Sequence, residues 1–174
     1  TSTGELYTAE LVGADHQTDL AVLKVAAQDL PPAVFADSTA IVQGQQVVAI
    51  GNPLGTLGGT VTEGIVSACD REIIIDGESM RLLQISAAVN PGNSGGGLFD
   101  GGGNLVGVGN AKSGGENIEG IGFAIPANTG REVITSLIEV GYVTGRPVIG
   151  AGIMDVNSRD ALYYFRLREY GVYV

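Results

Sequence analysis

Short apolar or alternating segments, separated by turns rich in glycine, asparagine and proline, constrain this chain more than any other feature. Glu5 to Val12 alternates polar and apolar residues, and Leu20 to Val25 follows as a mostly apolar run. Gln45 to Ile50, Thr60 to Ala68, Glu72 to Ile75 and Arg81 to Ile85 read as further short strands. A period of two sends successive side chains to opposite faces, which is a strand pattern. The connections carry turn chemistry: Gly13 to Thr18 joins the first two strands, and Asp76-Gly77 separates two later ones. Leu98-Phe99 and Leu105 to Gly109 flank Asp100-Gly101-Gly102-Gly103-Asn104 as a hairpin, and Gly120 to Ile125 is the last core strand. Pro31-Pro32 breaks the pattern, so Asp29 to Thr39 reads as a loop, as do Gly51 to Gly55, Leu57 to Gly59 and Lys112 to Glu119. Many short strands at short spacing specify an all-β barrel or sandwich.

One helix closes the core. Pro126 ends the last strand, Thr129 offers a cap, and Glu132 three residues later completes a capping-box pattern. Val133, Ile134, Leu137 and Ile138 form an apolar stripe, and Gly141 is a natural stop. The 174 residues fit one domain. A net charge of −10 argues against nucleic acid as a partner, since phosphates demand a basic face. Cys69 is the one cysteine, so no internal disulfide forms, and its place beside Ile65 to Ala68 suggests a small buried hydrophobe. No apolar run reaches the ~18 residues a membrane span needs; no signal-peptide pattern is visible at the start, which says little because the first residues already read as the middle of a domain. No cluster of histidine, cysteine and carboxylate has metal-ligand spacing, so neither metal nor cofactor is expected.

The chemistry-bearing stretch is Asn90-Pro91-Gly92-Asn93-Ser94-Gly95-Gly96-Gly97-Leu98, which sets one serine among glycines between apolar segments. A glycine loop of this kind adopts positive φ and gathers backbone N–H groups around a point. Acyl transfer needs such an array, because its tetrahedral intermediate carries an oxyanion. A solvated hydroxyl in a Gly-rich strand connection is the plainer alternative.

These residues resemble the active-serine loop of trypsin-like proteases with the chymotrypsin fold, and more closely that of the HtrA/DegP (Do-like) branch. The same branch is matched in the same order by Asp15 with Thr18-Asp19-Leu20-Ala21-Val22-Leu23-Lys24-Val25, by Val42 with Gly44, and by Ala49-Ile50-Gly51-Asn52-Pro53. Val61 to Ala68 and Gly120-Ile121-Gly122-Phe123-Ala124-Ile125-Pro126 continue the match over nearly the whole chain. The resemblance implies a serine endopeptidase in which Ser94 is the nucleophile and Asp19 the carboxylate. The backbone amides of Gly92 and Ser94 would form the oxyanion hole. It further implies a substrate pocket lined by Ala88, Val89, Asn90, Ile121, Gly122, Phe123 and Ala124, with no acidic residue at its base and a preference for small aliphatic side chains.

The family's catalytic histidine lies upstream of the strand matched by Glu5 to Val12, and no such context occurs here. His16, the chain's one histidine, falls where the family has an ordinary turn residue. The sequence therefore reads as a piece truncated at both ends: residues 1–149 a partial protease domain, comprising the last strands of the first barrel, the second barrel and a helix, and residues 150–174 a linker with the start of a PDZ domain. Such a piece is expected to be inactive alone, to expose an apolar barrel face through which it self-associates, and to carry a tail too short to form its own sheet. Ser86 and Gly97 depart from the family pattern and are expected to loosen the serine loop. The implied parent is trimer-based and extracytoplasmic, in the bacterial envelope, and acts on misfolded or exposed polypeptides. The rival readings are a non-catalytic peptide-binding or chaperone scaffold on a protease fold, and an unrelated β-barrel.

Overall fold

The computed structural model describes residues 4–52, 59–75, 78–90, 92–110, 120–146, 150 and 154–173. Two compact units divide the chain, Thr1–Thr144 and Gly145–Val174. The expected turn at Asp76-Gly77 and loop at Lys112 to Glu119 lie outside the described residues.

The first unit contains β1 (Ala9–Asp15), β2 (Leu20–Val25), β3 (Gln46–Gly51), β4 (Thr60–Ile75), β5 (Glu78–Ile85), β6 (Gly97–Phe99), β7 (Leu105–Asn110), β8 (Gly122–Pro126) and α1 (Ala127–Val140). β1 and β2 pair antiparallel as a two-stranded sheet. The other six close into an antiparallel barrel in the order β3-β4-β5-β8-β7-β6. The all-β architecture expected from strand spacing is therefore present, as the trypsin-like resemblance implies.

Period-two alternation sorts the apolar side chains into two cores. Val47, Ala49, Val66, Leu83, Ile85, Leu98, Val106 and Ala124 fill the barrel interior. Met80 and Leu82 of β5, and Phe123 and Ile125 of β8, form the second core with Leu20, Val133 and Leu137. Both strands are thus buried on both faces, which is why Phe123-Ala124-Ile125 is a continuous apolar run. α1 and β2 cover this barrel face, whereas Leu11 and Leu23, opposite each other on β1 and β2, are each 61% exposed. Ile50, Val61 and Ile65 are exposed on β3 and β4.

Several boundaries differ from expectation. The two segments Thr60 to Ala68 and Glu72 to Ile75 are one strand, because register shifts at Val66/Ala68 and Ala68/Arg71 absorb the polar residues between them. Within the second of those shifts Cys69 is exposed rather than buried, its Sγ 3.4 Å from the Ile41 carbonyl oxygen. The capping box does not form. α1 starts at Ala127 with no side-chain cap from its own N-cap residue. Instead the Ser38 hydroxyl accepts the Asn128 N–H at 3.1 Å, and Asn128 Nδ2 donates to Asp37 at 2.9 Å. A neighbouring loop thereby satisfies a donor that the helix leaves unpaired. Gly141 does end the helix, in the left-handed conformation.

In the second unit β9 (Met154–Val156) and β10 (Gly171–Tyr173) pair antiparallel, with α2 (Arg159–Phe165) between them in sequence. The Ser158 hydroxyl caps α2 by accepting the Ala161 N–H. A small sheet therefore forms where the sequence suggested none.

Candidate active site

The β1–β2 turn brings Asp19 to the site. Asp15, at the end of β1, is buried, and its carboxylate accepts the Thr18 N–H at 3.0 Å and also the Thr18 hydroxyl. Asp15 thus fills the turn-capping role that the position of Asp19 would otherwise suggest. Asp19 is exposed and has φ 57°, the left-handed region. Aspartate tolerates this better than most residues, at a cost on the order of 1–2 kcal/mol. Such conformations persist where the surroundings fix them, and they cluster at functional sites. The surroundings here are Thr18, bonded to Asp15, and Leu20, buried in the helix-side core.

Ser94 is exposed on the turn between β5 and β6. The Asn93 N–H donates to the Asn90 carbonyl at 3.1 Å, the Gly96 N–H to the Asn93 carbonyl at 3.0 Å, and the Gly95 N–H to the Gly109 carbonyl at 2.8 Å. Gly92 has φ 104°, the positive φ expected of this loop. Asn93 lies against β3 so closely that a Cβ on Gly51 would fall 2.3 Å from Asn93 Cβ. Nothing bulkier than glycine fits there without displacing the serine loop.

Asp19 and Ser94 line the same cleft, of about 260 Å³, together with Leu20, Ala21, Gly95, Val108, Gly109, Asn110 and Ile125. Composition did not single out Asn110, which is buried and ends β7. The signal was available: it is the polar residue that closes an otherwise apolar strand. His16 is exposed on the β1–β2 turn and does not line this cleft.

The residues implied for a substrate pocket divide into two groups. The segment Ala88-Val89-Asn90 meets β8 at Gly122, where a Cβ would lie 2.8 Å from the Ala87 carbonyl oxygen and 3.0 Å from Val89 Cγ2. Ala88 and Asn90 are exposed, Val89 is half-buried and Ile121 is 37% exposed. Phe123 and Ala124 have buried side chains: Phe123 packs with Leu82 and Leu137 toward α1, and Ala124 is fully buried inside the barrel. β8 has a core on each face, the barrel interior on one and the α1 and β2 side on the other, so both of these alternating side chains are buried.

Ser86, expected to loosen the loop, stitches it down: its Oγ accepts the Ile65 N–H at 2.9 Å while its own N–H donates to the Ile65 carbonyl at 3.0 Å. Gly97 keeps its strand pairing with Ile50 and Val108. Among the described residues, no group of three histidine, cysteine or carboxylate side chains could hold a metal ion.

Residues 1–108 match the family model of the trypsin-like peptidase domain. The Do-like serine protease HtrB of Bacillus subtilis is 41% identical over 92% of this chain and 36% of its own length. A DegP-like periplasmic serine endoprotease of Chlamydia trachomatis is 43% identical over 98% of the chain and 34% of its own length. The solved structure of the HtrA-type protease AlgW with a decapeptide superposes with a TM-score of 0.74 at 39% identity, covering 98% of this chain and 52% of that one. The chain spans about a third of the length of these curated relatives. By the matched domain, the shared barrel and the cleft that joins Asp19 to Ser94, the chain belongs to the trypsin-like peptidase family, in its HtrA/DegP branch.

Proposed function

We propose that this chain is the nucleophile-bearing part of a serine endopeptidase that cleaves misfolded or exposed polypeptides. The observation that carries the reading is the shared cleft of Asp19 and Ser94, two residues 75 positions apart in the sequence. In the reaction the Ser94 hydroxyl attacks the scissile carbonyl and passes its proton to an imidazole. The Asp19 carboxylate holds that imidazole in the required tautomer, and the amides of Gly92 and Ser94 receive the oxyanion. The position of His16 outside the cleft lining supports a proton acceptor other than His16. The acceptor comes, as the resemblance implies, from a segment upstream of β1. Exposed Ala88 and Ile121 with half-buried Val89 offer an apolar surface to the residue before the scissile bond, with the uncharged Asn90 beside them.

The relatives' names support a polypeptide substrate, and that of the Chlamydia relative supports a location outside the cytoplasm. A trimer-based assembly and a PDZ-type identity for the β9-α2-β10 unit complete the proposal.

The test is hydrolysis of an unfolded protein substrate by the full gene product. Ser94→Ala should lower kcat on the order of 10⁶-fold, and Asp19→Asn about 10⁴-fold. Undiminished turnover by Ser94→Ala would overturn the assignment. Binding of unfolded polypeptide without any hydrolysis would support a non-catalytic scaffold instead.

A further inference from the structure

Asn93 precedes the proposed nucleophile, yet its side chain is absent from the cleft lining and the residue is 6% exposed. We propose that Asn93 is a positioning residue whose carboxamide, folded back on the preceding backbone, sets the amides of Gly92 and Ser94 to receive the oxyanion. The inference rests on the serine endopeptidase reading above.

Four hydrogen bonds carry it. Asn93 Oδ1 accepts the Asn90 N–H at 2.7 Å, and Nδ2 donates to the Ala88 carbonyl at 3.0 Å. The Asn93 backbone N–H donates to the Asn90 carbonyl at 3.1 Å, and its carbonyl accepts the Gly96 N–H at 3.0 Å. One residue therefore ties position 88 to position 96 and fixes the backbone on both sides of Ser94. Gly51 lies against the opposite side, so close that a side chain there would clash with residue 93. The Ala88 carbonyl also accepts the Thr62 hydroxyl at 3.0 Å, which anchors the far end of the latch to β4.

The chemistry demands a carboxamide. One end must accept and the other must donate, and both ends are used. A carboxylate has the same shape but no donor, so it would set an anionic oxygen against the Ala88 carbonyl. A buried group without its hydrogen bond is costly, and a like-polarity contact is worse. The cradle is thus assembled from neutral hydrogen bonds within the folded chain and needs no charged partner to arrive from elsewhere.

The experiment compares wild type, Asn93→Asp and Asn93→Ala in the full gene product. It measures kcat and KM on a peptide substrate, affinity for a peptide boronic acid whose serine adduct carries a tetrahedral anion, and the thermal midpoint. Losing the oxyanion geometry should lower kcat of Asn93→Asp by about 10²–10³-fold, with boronate affinity falling by the same factor and KM staying within about twofold. Asn93→Ala, which removes the latch without adding repulsion, should fall between wild type and Asn93→Asp, and it decides the matter if Asn93→Asp does not fold. Retention of wild-type kcat and boronate affinity by the folded variants would overturn the positioning role. Loss of kcat and ground-state binding in proportion to lost folded protein would reduce Asn93 to a structural residue. Both outcomes are distinct from failure of the endopeptidase reading, in which wild type itself shows no turnover or Ser94→Ala leaves it intact.

Discussion

Gly51→Ala separates loop position from loop composition, because the changed residue lies on β3 and meets the serine loop at Asn93. Gly51 pairs with Thr60 as an ordinary strand residue, and alanine there meets no backbone strain. Its Cβ, however, would fall 2.3 Å from Asn93 Cβ and 2.7 Å from Asn93 Cα. Carbon atoms in ordinary contact stand about 3.5–4.0 Å apart, so β3 and the loop must separate by more than about 1 Å. Overpacking of this kind costs about 1–3 kcal/mol of stability. A displacement of about 1 Å at a reacting group costs about 10²-fold in rate. The assay is kcat/KM of the full gene product alongside a urea unfolding curve. Gly101→Ala is the control: that glycine lies on the exposed β6–β7 turn, and its Cβ would meet nothing within 4 Å. It should keep wild-type activity and gain about 0.4–1 kcal/mol by restricting the unfolded chain. Equal kcat/KM for Gly51→Ala and wild type, or an equal loss in Gly101→Ala, would refute the steric argument.

Two further outcomes follow from the cores and the charges. Leu137 is fully buried where α1 meets Leu20, Leu82 and Phe123, so Leu137→Ala should cost about 2–5 kcal/mol, read from urea unfolding. The N–H and carboxamide of Asn104, with the N–H of Gly102, hold the Asp100 carboxyl below the ordinary carboxylate range, and Thr39 and Asn128 do the same for Asp37. A depressed folded value contributes stability that is complete above the unfolded value, about pH 4, and is lost as pH falls through the folded one. The gap in urea midpoint between wild type and Asp100→Ala should therefore be constant from neutrality to about pH 4 and narrow below it; a gap that widened there would contradict the assigned bonds.

Local patterning made the strands legible, and the exceptions have physical causes. Leu20 to Val25 was readable to the residue because β2 is apolar between a turn and a loop. β1 was displaced toward its start, since Asp15 is a polar residue whose place inside the strand depends on its bond to Thr18. Cys69-Asp70-Arg71 read as a break in β4 because register shifts leave no mark in composition. The helix start was misjudged for a different reason: Ser38 and Asp37 supply its partners from 90 residues away in sequence. Of the candidate site, Ser94 and Asp19, which line one cleft, were singled out by the motifs that carry the family resemblance. The burial of Phe123 and Ala124 was not, because it depends on α1 and β2 covering the outer face of β8 while the barrel closes over its inner face. The latch around Asn93 was likewise hidden, being a matter of which atoms its carboxamide faces.

Covalent trapping tests the central claim most directly. The full gene product, treated with a fluorophosphonate and digested for peptide mapping, should carry the adduct on Ser94, and labelling should fall sharply in Asp19→Asn. An adduct on another hydroxyl, or peptide hydrolysis that persists while Ser94 stays unmodified, would contradict it.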